Sequence, residues 1–205
     1  MLQGKILRKG AEAELLETEF LGRKALLKSR VPKEYRIKQL DEAIRRERTK
    51  QEAVLLHRAK ELGVRTPVIF AIGRNNCGIT MEFVDGARLK DALDKKNFER
   101  HCSALGEKIA LLHDAGIVHG DLTTSNAIVQ KESLVFLDFG LGFFSEKIED
   151  KAVDLLNLKK TFEATHHSLM PEAWQAITQA YCGQSKKGNV IVAQIAEIEK
   201  RARYL

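Results

Sequence analysis

The sequence predicts a small bilobal α+β fold, with an antiparallel-sheet N-lobe carrying one long helix and a reduced helical C-lobe. Three observations predict it. Short apolar runs separated by tight turns fill the first 30 residues and return between positions 68 and 84. One long helical pattern separates the two sets of runs, and helical spacing dominates after Gly86. A chain of 205 residues exceeds the usual ~150 per domain by too little for two full domains. Residues 1–84 and 85–205 are therefore read as two lobes of one unit.

The first strand is expected at Gln3–Arg8, followed by a Lys9-Gly10-Ala11 turn. Glu14–Phe20, a Leu21-Gly22-Arg23 turn and Lys24–Ser29 complete an antiparallel meander. A helix is expected from about Glu34 to Leu62. Ile37, Leu40, Ile44, Leu55 and Leu62 form its apolar stripe, and Gln51 interrupts it. Gly63 and Pro67 lie where they would stop it. Its exposed side reads as basic, through Arg36, Lys38, Arg45, Arg46, Arg48 and Lys50, and is either a solvated face or a tRNA or partner surface. Val68–Ile72 and Ile79–Val84 supply two more strands around a Gly73–Gly78 turn.

In the second lobe, Cys102, Leu105, Ile109 and Leu112 share a helical face, and Gly116 ends that helix. Short apolar pieces follow at Ala127–Val129 and Leu134–Leu137. Further helices are expected at about Glu149–Phe162, Pro171–Tyr181 and Val190–Arg203, with Pro171 at a first helical position.

Composition removes several classes. With 44% hydrophobic and 30% charged residues and three prolines, the chain is neither collagen-like nor an acidic disordered segment. Cys77, Cys102 and Cys182 are far apart in sequence and form no CxxC or Cys/His cluster, so buried reduced thiols are expected rather than disulfides or zinc. No apolar stretch reaches signal-peptide or membrane-helix pattern, so a soluble cytoplasmic protein with no membrane partner is expected. A net charge of +6 is compatible with a nucleic-acid partner without establishing one.

The chemistry concentrates in His119-Gly120-Asp121-Leu122-Thr123-Thr124-Ser125-Asn126 and Leu137-Asp138-Phe139-Gly140. Asp121 and Asn126 are five apart, and Asp138 follows Asp121 by 17 residues, after a strand-like run. This is the order of a kinase catalytic loop and its magnesium-binding DFG segment. Phosphoryl transfer needs a carboxylate beside the attacking hydroxyl or water, here Asp121. It also needs a second carboxylate and an amide oxygen on the metal, here Asp138 and Asn126.

Other candidates follow from this match. Lys28, on the third strand, is placed to contact the α- and β-phosphates. The alternatives are a solvated strand-end cation like Arg30, or Lys24 in its place. Glu52 is the preferred ion-pair partner, next to apolar Ala53–Leu56, with Glu47 and Glu61 as competitors. Thr80–Val84 resembles a kinase hinge, whose backbone at Glu82 and Val84 would bond an adenine edge, with a plain buried strand as the alternative. The Gly10 turn would cover the phosphates, although it lacks a full GxGxxG and equally reads as a hairpin turn.

HGDLTTSN, DFGL, EDKAVDL at Glu149–Leu155 and RERTKQEAVLL at Arg46–Leu56 are together similar to the small atypical kinase subunit of the KEOPS complex, the PRPK family. The resemblance spans about Gly4 to Arg203. It implies a protein-kinase-like fold, ATP and Mg2+ as cofactors, Ser/Thr autophosphorylation, and ATPase activity within a complex that makes threonylcarbamoyladenosine in tRNA. It also implies docking of the C-lobe on the threonylcarbamoyltransferase subunit and of the N-lobe on a small KEOPS subunit. Asp154 would brace the catalytic-loop backbone, and the basic tail Lys200–Leu205, with Lys186 and Lys187 nearby, would be the place for tRNA.

Departures from ordinary protein kinases restrict the substrate. Only 65 residues follow Gly140, which leaves little room for a peptide-docking lobe. Thr123 stands where many Ser/Thr kinases carry a phosphate-contacting Lys, and Met170-Pro171-Glu172 reads as a helix start. A small-molecule phosphotransferase of the aminoglycoside or choline type and a non-catalytic nucleotide-sensing scaffold are the competing functions. The short Gly86–Ile117 stretch disfavours the first; the presence together of Lys28, Asp121, Asn126 and Asp138 disfavours the second.

Overall fold

The structure, a computed structural model, describes residues 5–73 and 77–202. Its first lobe is a five-stranded, wholly antiparallel sheet in the order β1-β2-β3-β5-β4. The strands are β1 (Lys5–Lys9), β2 (Ala13–Phe20), β3 (Arg23–Arg30), β4 (Ile69–Gly73) and β5 (Gly78–Glu82). The meander is as expected from the turn residues, with Leu15 opposite Lys28 and Lys28 opposite Ile79. This register sets Lys28 in the middle of the sheet. Residues Gln3 and Gly4 of the first expected strand, and positions 74–76 of the β4–β5 turn, lie outside the described residues.

Helix α1 runs Lys38–Glu61 and differs from expectation in two ways. It starts four residues later than Glu34, because Arg36 N–H closes a turn on Lys33 O and Ile37 stays extended. Buried Asp41 fixes that turn, accepting from Lys33 N–H and pairing with Arg45 at 2.6 Å and Arg36 at 3.6 Å. The buried face is also rotated: Ile37 and Leu40 are exposed, and the inward positions are Thr49, Glu52, Ala53, Leu55, Leu56 and Ala59. The expected basic face is correspondingly reduced. Arg45 is largely covered, Arg48 pairs with Glu12, and Arg46 pairs with Glu42.

The second lobe contains β6 (Ala87–Arg88), α2 (Leu89–Ala92), α3 (Phe98–Asp114), β7 (Ile117–Val118), β8 (Ala127–Gln130), β9 (Ser133–Phe136) and β10 (Phe143–Phe144). Helices α4 (Ile148–Thr165), α5 (Met170–Gln184) and α6 (Gly188–Ala202) complete it. Pro171 sits in the first turn of α5, so Met170-Pro171-Glu172 is a helix start as expected. The strands β6, β8 and β9 form one small sheet, and β7 with β10 another. The four-residue α2 was not legible from its sequence, being shorter than one apolar period.

The main core does not stop at the lobe boundary. Leu55, Leu56, Ala59 and Val64 pack in one cluster with Ile109, Phe136, Phe139, Leu155, Phe162 and Tyr181 of the second lobe. Ala53, Ile79 and Met81 form a separate, small cluster under the sheet. The two faces of α1 are thus anchored in different lobes, and Glu52 lies between them. Burial of these side chains at ~1.5–3 kcal/mol each sets α1 firmly across the cleft. Cys77, Cys102 and Cys182 are free, and burial pushes the Cys102 thiol up to about 12. No helix among the described residues is long and apolar enough to cross a membrane.

Candidate active site

The cleft between the lobes holds two adjoining cavities of about 350 and 320 Å3. Both are lined by Arg8, Leu15, Lys28, Asn126 and Asp138. The first is polar and contains Gly10, Arg30, Asp121 and Thr123. The second is apolar, bounded by Leu26, Met81, Phe83, Ile128 and Leu137, with Glu82 and Val84 on its rim.

Lys28 is delivered by the central strand β3 and Glu52 by the inward face of α1. They meet at 2.6 Å, with both side chains buried. Glu47 and Glu61 are exposed, and Glu61 pairs with Arg58. Lys24 is half-exposed, bound to Glu17 and lying over the Phe83 ring. The competitors therefore stand outside the cleft. Lys28 Nζ also donates to Asp138 Oδ1 at 2.5 Å. Burial works against its charge, but the two carboxylates outweigh it and hold Lys28 above the ordinary lysine range. Partial desolvation pushes Asp138 upward, yet the Lys28 ammonium and the Gly140 N–H hold its carboxyl below the usual range.

Glu52 carries a second cation that sequence reasoning missed. Arg30 is 5% exposed, and its Nη2 donates to Glu52 Oε2 at 2.7 Å. It is not the solvated strand-end cation it resembles in sequence. Strand alternation was the available signal, because Arg30 is two residues from Lys28 and shares its face. A buried carboxylate bridging two cations keeps both of its oxygens satisfied, which offsets its desolvation.

The loop between β7 and β8 is built from its own side chains. Asn126 Nδ2 donates to Asp121 O at 2.9 Å and to Asp121 Oδ2 at 2.8 Å. Thr123 Oγ1 accepts from Ser125 N–H, capping the 3-10 turn Thr124–Asn126. His119 ties this loop to the next strand end. Its Nε2–H donates to Leu137 O at 3.0 Å and its Nδ1 accepts from Asp121 N–H at 3.3 Å, so the network assigns a neutral ring. The ring packs on Phe139 at 4.5 Å. Asp138 adopts φ +58°, a left-handed conformation found where a site overrides backbone preference.

Behind the loop, Asp154 of α4 accepts from His119 N–H at 2.8 Å and Gly120 N–H at 2.9 Å. Burial acts upward on its carboxyl, but His113 and these amides hold it below the usual range. Gln51, the polar interruption of the α1 stripe, donates to Gly142 O at 2.8 Å and latches α1 to the segment after Asp138.

At the rim of the apolar cavity, Glu82 pairs with Arg65 at 2.5 Å and accepts from Val68 N–H at 3.0 Å. Its side chain is thereby held against the β4 side of the sheet. Gly10 N–H donates to Ala13 O at 3.0 Å in the β1–β2 turn over the polar cavity. Among the described residues no three His, Cys, Asp or Glu side chains converge as a metal cage. A divalent ion at Asp138 and Asn126 must therefore draw its remaining ligands from water and a bound phosphate, which is how Mg2+ is held beside nucleotides. Both residues fit that requirement.

In the tail, Lys200 pairs with Glu197 and Arg201 with Glu149, whereas Arg203, Tyr204 and Leu205 lie outside the described residues.

Comparison with known proteins agrees with this architecture. The RIO-domain family profile matches residues 17–156. The KEOPS complex subunit Bud32 of Pyrococcus abyssi is 41% identical, over 98% of this chain and 96% of its own length. A probable bifunctional tRNA threonylcarbamoyladenosine biosynthesis protein of Methanothermobacter thermautotrophicus is 44% identical over 97% of this chain. The chain spans 36% of that longer relative. Among solved structures, the Rio2 kinase–ADP/Mg2+–phosphoaspartate complex of Chaetomium thermophilum matches all of this chain and 72% of its own, with a TM-score of 0.70 at 16% identity. WaaP in complex with acyl carrier protein matches 98% of this chain and 89% of its own, with a TM-score of 0.67 at 16% identity.

Proposed function

Because the chain belongs to the RIO-domain family, we propose that its cleft binds Mg–ATP and that the protein is an atypical kinase and ATPase. The observation that carries this reading is the convergence of Lys28, Asp121, Asn126 and Asp138 at the polar end of a cleft whose other end is apolar, with Glu52 paired to Lys28 behind them. The apolar end suits a purine ring, with the backbone at Glu82 and Val84 along its edge.

In the proposed mechanism, Lys28 contacts the α- and β-phosphates, and Glu52, clamped by Arg30, fixes its position. The Gly10 turn closes over the phosphates. Asp138 and the Asn126 side-chain oxygen would hold the metal, which would supply charge neutralisation on the phosphate oxygens. Asn126 Nδ2 meanwhile orients Asp121. Asp121 then accepts the proton of a water, or of a Ser/Thr hydroxyl, as that oxygen attacks the γ-phosphorus. Thr123, standing where many Ser/Thr kinases carry a phosphate-contacting Lys, only caps its own turn, and the lack of that cation favours water over a docked peptide as the acceptor.

The setting we propose is the KEOPS complex and the synthesis of threonylcarbamoyladenosine in tRNA, supported by the names of the archaeal relatives. There the C-lobe would dock on the threonylcarbamoyltransferase subunit, the N-lobe on a small subunit, and the Lys200-to-Leu205 tail would meet tRNA. Reconstitution tests this. ATP hydrolysis should rise when transferase partner and tRNA are added, and Asp138→Ala should abolish both hydrolysis and tRNA modification. Full modification by a complex carrying Asp138→Ala would make the chain a scaffold instead. Phosphorylation of amino alcohols or aminoglycosides in the absence of partners would make it a small-molecule phosphotransferase.

A further inference from the structure

A buried chain of hydrogen bonds runs through the helical lobe and ends on the backbone of the Asp121 loop. Asp154 accepts from His119 N–H and Gly120 N–H, the two amides immediately before Asp121. Asp154 Oδ2 is also 3.2 Å from His113 Nε2, and His113 Nδ1 is 2.8 Å from the Tyr181 hydroxyl. The three side chains and two amides involved come from α3, α4, α5 and the loop, and His113, Asp154 and Tyr181 are all at most 1% exposed.

The direction of each bond follows from the ends. A carboxylate only accepts, so His113 Nε2 carries a proton. In the Nε2–H tautomer Nδ1 is left as an acceptor, and the Tyr181 O–H, 2.8 Å away, fills it. Burial holds this phenol well above its usual range, so it remains a donor. The two rings also meet edge to face, 5.6 Å apart at 77°. Phenylalanine would fill the same space without burying a hydroxyl, and a buried hydroxyl is tolerated only where it has a partner. Its partners here are the Ser185 side chain and the imidazole aimed at the loop's carboxylate.

The helices hold both groups rigidly. α3 and α5 touch backbone to backbone at Gly106, where an added Cβ would fall 2.2 Å from Ile177 O. Tyr181 lies one turn beyond Ile177, and His113 two turns beyond Gly106. Past Tyr181, Ser185 Oγ–H donates to Asp114 Oδ1 at 2.6 Å and Lys186 N–H to Asp114 Oδ2 at 3.2 Å. The end of α5 is thereby pinned to the end of α3, next to His113.

We propose that Tyr181 is a positioning residue for Asp121, acting through His113 and Asp154. Removing its hydroxyl frees the His113 ring to change tautomer or rotate, and Asp154 then grips the His119 and Gly120 amides less firmly. The proposal uses the ATPase reading above for one of its readouts only.

The test compares the full chain with Tyr181→Phe, His113→Gln and the double variant. Two quantities are read: amide hydrogen exchange at His119 and Gly120, and steady-state ATP hydrolysis. Tyr181→Phe should speed exchange of both amides about tenfold and lower kcat about tenfold, with KM for ATP within about twofold. The double variant should be no worse than His113→Gln alone, since both substitutions break one chain. Unchanged exchange and kcat in Tyr181→Phe, with only a lower melting temperature, would make the tyrosine purely structural and overturn the proposal. Additive effects in the double variant would overturn it too. If the parent hydrolyses no ATP, the ATPase reading falls and the exchange rates alone decide the positioning role.

Discussion

Lys28 Nζ donates to Asp138 Oδ1 at 2.5 Å while it holds Glu52 at 2.6 Å, so one ammonium joins the residue proposed for the metal to the residue that orients the lysine. Phosphate oxygens compete for that ammonium, and a metal ion competes for that carboxylate. Under the proposed function, nucleotide and metal should therefore help each other in. Calorimetry should find Mg2+ alone binding at least ~10-fold more weakly than Mg2+ in the presence of ADP. Equally tight metal binding without nucleotide would contradict the exchange of partners.

Arg30 is the second cation on Glu52. Arg30→Ala leaves a buried carboxylate with Lys28 alone, and should cost about 2–3 kcal/mol in urea denaturation, below the ~3–5 of a fully broken buried pair. Turnover should fall with it, because Glu52 is freed to swing from Lys28. A stability change under ~0.5 kcal/mol would mean the arginine is surface-like in solution.

The pH dependence follows from Asp154. Its carboxyl is held below the usual range in the folded state, so the stability it contributes is fully present above its unfolded pKa of ~3.9. That contribution is lost as pH falls through the lower folded value. Asp154→Asn should lower the melting temperature at pH 7 and flatten the decline below about pH 4. Parallel Tm–pH curves for parent and variant would refute the assignment.

Gly106 is the contact point of α3 and α5, with Ile177 O 2.2 Å from any added Cβ. Gly106→Ala should destabilise by ~1–3 kcal/mol through backbone displacement. An unchanged urea midpoint would show that the helices can separate at no cost.

Much of this was legible in the chain because it depends on local pattern. The tight turns at Gly10 and Gly22 divide the meander, and the HGDLTTSN and DFG spacing picks out Asp121, Asn126 and Asp138. Lys28 and Glu52 could be matched because each sits beside apolar neighbours on its own element. What was not legible depends on which way an element turns. Ile37 and Leu40 look like the start of a stripe, yet the chain enters α1 only after Asp41 has fixed the preceding turn, and both are left exposed. Arg30, Gln51 and Tyr181 look like a surface charge, a flaw and a core aromatic. Their partners Glu52, Gly142 and His113 are 22, 91 and 68 residues away, beyond the reach of any periodicity.

The most direct test measures phosphate release and nucleotide affinity together for the parent and Asp121→Ala. ATP affinity should be nearly unchanged in the variant, while turnover should fall by roughly 10²–10⁴. Equal phosphate release by the two proteins would contradict this, because Asp121 would then have no part in taking the proton of the attacking oxygen.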